Sequence, residues 1–174
     1  MEHMNLELFQ LLDKVDESVT VVSFLVLLAN LFLVRKLTSV TMATIAFLVV
    51  QACSLALADF LIFDVAAINK DVARVLFYFT FAFIDIAAVV LLYKLHVRLN
   101  IEFSHCAKFM IRMLQFLAIL QVLRFLDRQW GPDVLGAIYT YGIPSINFAL
   151  CLVLIFFSIK QMKAEKGFSG IKGV

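Results

Sequence analysis

The sequence predicts an all-α, polytopic integral membrane protein. We expect a bundle of five transmembrane helices, N-out and C-in, preceded by a short amphipathic helix. Three observations carry this reading. Of 174 residues, 63% are hydrophobic and 16% charged, with a mean hydropathy of +0.98; a soluble domain is about half apolar and a quarter charged. The apolar residues gather into five runs, each near the ~20 residues that cross a ~30 Å hydrocarbon core as a helix. The charges sit in short blocks between those runs. A soluble chain of this size could not cover so much apolar surface, so lipid is the expected solvent.

The elements follow in order. In residues 4–17, Leu8, Leu11, Leu12 and Val15 recur at helical spacing among Glu7, Asp13, Asp16 and Glu17. This stretch is too acidic to span. It reads as an amphipathic helix at the interface or as an extension of the first span. An acidic lead-in is also the opposite of the basic start that a cleavable signal peptide requires. The first span is residues 18–34, closed by Arg35 and Lys36, and the second is 40–63, ending before Asp64. The third, 73–93, ends in Lys94, His96 and Arg98, and the fourth, 109–125, ends where Gly131 and Pro132 stop a helix. The fifth, 134–159, leads into a basic tail, 160–174. Residues 18–159 thus form one transmembrane domain between a 1–17 leader and that tail. The runs lack barrel-type alternation, and helices satisfy their own backbone in lipid.

Orientation comes from Lys and Arg placement. One set of connections carries Arg35, Lys36, Lys94, Arg98, Lys108, Lys160, Lys163, Lys166 and Lys172; the other carries Lys14, Lys70, Arg74 and Arg128. The basic side is the inside, and a plasma or inner membrane is expected. Trp130 and Tyr93 fall where interfacial aromatic belts form. A net charge of +2 gives no reason to invoke nucleic acid.

Polar residues inside the spans are the candidates for function. Asp85 lies ~18 Å into the third span, near the midplane, where an unpaired carboxylate costs about 2.5–3.5 kcal/mol on insertion scales. Counting in from the span ends places Asn30, Gln51 and Asn147 at a similar depth, with Gln115 and Gln121 bracketing the middle of the fourth span. Asp85, Asn30, Gln51 and Asn147 are therefore expected as a polar layer that binds an ion, proton or small ligand, or that fixes helix register. Asp59 and Arg124 are placed for an outer ion pair, with Asp127 as a competing partner of Arg124. In the fourth span, Arg112 and Gln115 share one face and Gln121, Arg124 and Arg128 the opposite one, which suggests a central helix or a subunit contact. In the fifth, Gly136, Thr140, Pro144, Asn147, Cys151 and Ser158 form one stripe suited to close helix packing. Pro144 removes a backbone donor and Gly142 loosens the same turn, so a hinge is expected there.

No motif for catalysis stands out. HExxH, a Gly-rich phosphate loop and GxSxG are absent from the sequence. His96, His105 and Cys106 match no zinc spacing, and no cofactor or metal is expected. Cys53, Cys106 and Cys151 are read as reduced, small apolar side chains. The first expectation is a non-catalytic membrane subunit that packs against another copy or a membrane partner. A small ion- or proton-coupled transporter or channel using the layer around Asp85 is the alternative, and a membrane sensor module the third.

Overall fold

The computed structural model describes the backbone of residues 2–61, 67, 69–130 and 134–171, and the side chains within 14–164 apart from those of 59, 62–66, 68 and 131–133. It is all-helical, with five helices long and apolar enough to cross a membrane, consistent with a multi-pass membrane protein. They are α1 (Glu2–Ala29), α2 (Ser39–Asp59), α3 (Lys70–Leu99), α4 (His105–Trp130) and α5 (Gly136–Ile171). α1 closes in a π-helical stretch, Asn30–Val34, and the chain then turns at Arg35 with φ of 55°.

Local chemistry sets the helix ends. The hydroxyl of Thr38 caps α2 by accepting from Thr41 N–H at 3.2 Å. Asn69 caps α3 by accepting from Asp71 and Val72 N–H. α3 ends where Asn100 adopts the left-handed conformation, its N–H returned to His96 and Val97 carbonyls. Ser104 caps α4 through Ala107 N–H. The turn from α4 into α5 is clamped by Asp127. Its carboxylate accepts from Val134 and Leu135 N–H and from the Arg124 guanidinium.

Of the two expectations for residues 4–17, the extension of the first span is the one found: they are the first turns of α1, and nothing in that stretch breaks the backbone ladder. The expected amphipathic pattern lies largely on side chains outside those described. Residues 160–171, expected as a tail, continue α5; the run from Lys160 to Lys166, with Gln161, Met162, Ala164 and Glu165, is made of good helix formers. α5 also runs through Pro144 without ending.

α2, not α4, is the central helix, as it packs against all four others. Its sequence explains this. Ala43, Thr44, Ala46 and Phe47 are completely or nearly completely buried, and three small residues within one turn allow neighbouring backbones close. The Thr44 hydroxyl is returned to its own helix at Val40 O. α4 packs most heavily on α3 and also meets α2 and α5, so one of its flanks stays free. The outward surface carries Phe32, Phe83, Val97, Ile119 and Phe156, all exposed, as a lipid-facing surface requires.

α1 and α5 run parallel. Asp16, Ser23 and Asn30 lie one heptad apart on α1 and meet the α5 stripe in the same order: Asn147 Nδ2 donates to Asp16 at 3.4 Å, Ser23 to Cys151 Sγ at 3.7 Å, and Asn30 Nδ2 to Ser158 at 2.8 Å. A seven-residue repeat of short side chains is how parallel helices keep one seam in contact. The small-residue stripe of the fifth span is therefore the α1-facing seam. We call the end of the bundle that holds Asp16 and the α4–α5 turn the N side, and the end that holds Ser39, His96 and Gln161 the C side.

Candidate functional site

The polar residues of the bundle are divided between a sealed half and an open half. On the C side they are paired directly with one another. His96, 1% exposed, sets its Nδ1 against Leu92 O at 2.7 Å. A carbonyl only accepts, so Nδ1 carries a proton, and Nε2 lies 2.7 Å from Ser39 Oγ. The Ser39 and Ser104 hydroxyls are 2.9 Å apart, and Ser104 N–H donates to Ser39 Oγ at 3.0 Å. Phe103 stacks on the imidazole, with ring centroids 4.1 Å apart. This knot ties α2, α3 and the start of α4. Thr38 donates to Gln161 Oε1 at 3.1 Å and, with the Asn30–Ser158 bond, ties α5 to α1 and the head of α2. Sequence reasoning set His96 aside because it matched no metal-binding spacing; only the fold brings Ser39 and Ser104 to it.

The N-side half contains a cleft of about 300 Å³, a size that takes a small organic ligand. Its polar walls are Asp16 from α1, Gln51 and Ser54 from α2, Gln121 from α4, and Tyr139, Thr140 and Asn147 from α5. Phe77 and Phe81 of α3, Leu55, Ala58, Ile143 and Pro144 supply the apolar walls. Four of the polar wall residues are tied to one another in pairs: Tyr139 O–H donates to Gln121 Oε1 at 2.6 Å, and Asn147 reaches Asp16. Gln51 is different. It is 3% exposed, yet its amide makes no hydrogen bond to any described residue.

Of the four residues expected in one midplane layer, Gln51 and Asn147 share this cleft, and the expected hinge residue Pro144 lines it. Gly142 does not line it; a Cβ there would meet only Ile138, at 4.0 Å. Asp85 is on the interior stripe of α3 with Tyr78, Phe81, Ala82, Ala88, Leu92 and His96. It is 5% exposed, and no described side chain hydrogen-bonds or ion-pairs with it. It sits one turn past Phe81, beyond the cleft toward the C side. Asn30 does not reach that layer. It falls near the C-side end, just over one turn before the chain turns at Arg35, and there it bonds Ser158. Asp16, which the sequence reading assigned to the leader, joins the polar walls because α1 runs unbroken through it.

The expected pair Asp59–Arg124 falls on a side chain outside those described. Arg124 bonds Asp127, the competitor one turn away, and its guanidinium lies 5.9 Å from the centroid of the Tyr139 ring. On α4, Gln121 and Arg124 are buried while Arg112 and Gln115 are exposed, so the two polar faces do have different environments. Cys106 and Cys151 are buried free thiols and Cys53 a half-buried one. Among the described residues, no three His, Cys, Asp or Glu side chains come together as a metal site.

Comparisons with family models, curated proteins and solved structures return no match to this chain.

Proposed function

We propose that this chain is a small, non-catalytic multi-pass transporter and that the N-side cleft is its solute site. The observation that carries this reading is Gln51: a buried amide that lines a ligand-sized cleft and has no described protein partner. Buried polar residues are otherwise hydrogen-bonded within the protein, and this amide, open to the cleft, is left to bond a solute or water there. By the Lys and Arg asymmetry the N side is outside, so the cleft faces outward and the paired C side closes the inward path.

Transport then requires the C side to open. The ties that hold α5 there are neutral: Thr38–Gln161 and Asn30–Ser158. Such interhelical bonds average about 0.6 kcal/mol in a bilayer, so opening is within reach of a solute that favours the open state by a few kcal/mol. Pro144 supports the same motion, because it lines the cleft and donates no hydrogen bond to Thr140 O. Asp85, one turn below the cleft, is the group that a co-transported proton or cation would meet. Osmotic swelling of proteoliposomes across a panel of small solutes tests the reading. At least one solute should enter, at a rate cut tenfold or more by Gln51→Leu. Swelling with no solute, or swelling indifferent to Gln51→Leu, overturns it.

A second reading, a membrane subunit acting through helix packing with another copy, is favoured by Gln115. Its amide is exposed on the free flank of α4, roughly 15 Å into the helix, where lipid offers no hydrogen bond. An amide donates and accepts, so two copies can satisfy each other across a two-fold axis. Disulfide trapping of Gln115→Cys as a dimer in native membranes would support this; a monomer throughout would sink it.

A further inference from the structure

Resting on the solute-site reading above, we propose that the ligand is an anion: a carboxylate or phosphate head borne on an apolar body. Next to the cleft, toward the N side, lies a second recess of about 390 Å³, and the two share Phe77, Tyr139 and Thr140 as a common wall. Its described lining includes four basic side chains, Lys70, Arg74, Arg124 and Arg128, and no acidic one. Two of these have ion-pair partners nearby: Arg124 with Asp127, and Arg74 with the exposed Asp71 at 3.7 Å. Lys70 and Arg128 have no ion-pair partner among the described residues. A recess with low-dielectric walls and one sign of charge concentrates the opposite sign, and guanidinium and ammonium groups together suit a carboxylate or phosphate.

The shared wall is aromatic. Tyr139 packs edge-on to Tyr78, with ring centroids 5.6 Å apart, and Phe77 opens onto both recesses. A ligand with its charge at Arg128 and Lys70 would therefore lay its apolar part along Phe77 into the cleft, where the Gln51 amide waits. This arrangement selects against a bare inorganic anion, which leaves the aromatic wall unused, and against an organic cation, which Lys70 and Arg128 repel. The same head could come from a soluble organic acid or from an anionic lipid of the outer leaflet.

Equilibrium binding of radiolabelled benzoate and of benzylamine, matched in size and opposite in charge, separates these cases. The full chain is placed in nanodiscs of phosphatidylcholine alone or with phosphatidylglycerol added. Saturable benzoate binding in the neutral discs, weakened at least tenfold by Arg128→Gln and several-fold by Lys70→Gln, supports an anion site for soluble acids. Benzoate binding that phosphatidylglycerol displaces supports the same site with a lipid as its natural occupant. Both substitutions are at the exposed rim, so folding should survive them. Benzylamine binding as tight as benzoate, and lost in Gln51→Leu, would overturn the anion assignment while leaving the solute site standing. Binding of neither probe, with phosphatidylglycerol retained equally by wild type and Arg128→Gln, overturns the assignment outright.

Discussion

Ser39→Ala removes one oxygen and disconnects the C-side knot. That oxygen sits 2.7 Å from His96 Nε2, 2.9 Å from Ser104 Oγ and 3.0 Å from Ser104 N. Its loss leaves an imidazole nitrogen, almost closed to water, and a part-buried backbone N–H without their partners. A buried group left unmade costs about 1–3 kcal/mol, while interhelical hydrogen bonds in a bilayer average about 0.6 and reach about 1.7 kcal/mol. Two such groups give an expected loss of about 2 kcal/mol. Unfolding by sodium dodecyl sulfate in mixed micelles, followed by far-ultraviolet circular dichroism, measures it. His96→Phe keeps the stack on Phe103 and drops both ring nitrogens, so the double variant should show a coupling of about 1 kcal/mol. A loss under about 0.5 kcal/mol for Ser39→Ala, or additive single variants, would refute the idea that this knot holds the C side shut.

Other outcomes follow from the same geometry. Asp85→Leu should stabilise the fold by about 1–3 kcal/mol in that titration, since the carboxylate is buried without a described partner; in swelling assays it should abolish any flux that depends on a proton or cation gradient. Asn30→Leu should be nearly neutral, within about 1 kcal/mol, because it loses the bond to Ser158 but also removes the buried Oδ1, which has no partner. Asp127→Ala should lower the midpoint of the same titration and expose the α4–α5 turn to protease, because it loses the charged bond to Arg124 and two backbone caps.

The environment and the helices were legible in the sequence because they depend on summed hydropathy, which needs no tertiary information. The α1-facing stripe of α5 was legible for a similar reason: small residues at helical spacing mark a seam whatever lies across it. Depth counting did less well, because it inherits every error in where a span begins. Asn30, counted in from Ser18, lies instead beside Ser158 near the C-side end of the helix, and Asp16, counted as outside the span, is in the cleft walls. The C-side knot was not legible at all. Ser39, His96 and Ser104 come from three separate elements, and no spacing along the chain encodes their meeting. Centrality was misread for a different reason. Polar residues on two faces of α4 drew attention to it, but what makes α2 central is its run of small residues, Ala43 to Ala46.

The bundle holds a cleft on its N side above a C side closed by paired polar groups. Cysteine accessibility in oriented vesicles, with Cys53, Cys106 and Cys151 replaced, tests this arrangement most directly. Ser54→Cys, in the cleft wall, should react with a small membrane-impermeant thiosulfonate added on the N side and be protected from the C side. Thr44→Cys, fully buried in the packed half, should react from neither. A Ser54→Cys that stays unreactive, or that labels equally fast from the C side, would contradict the account.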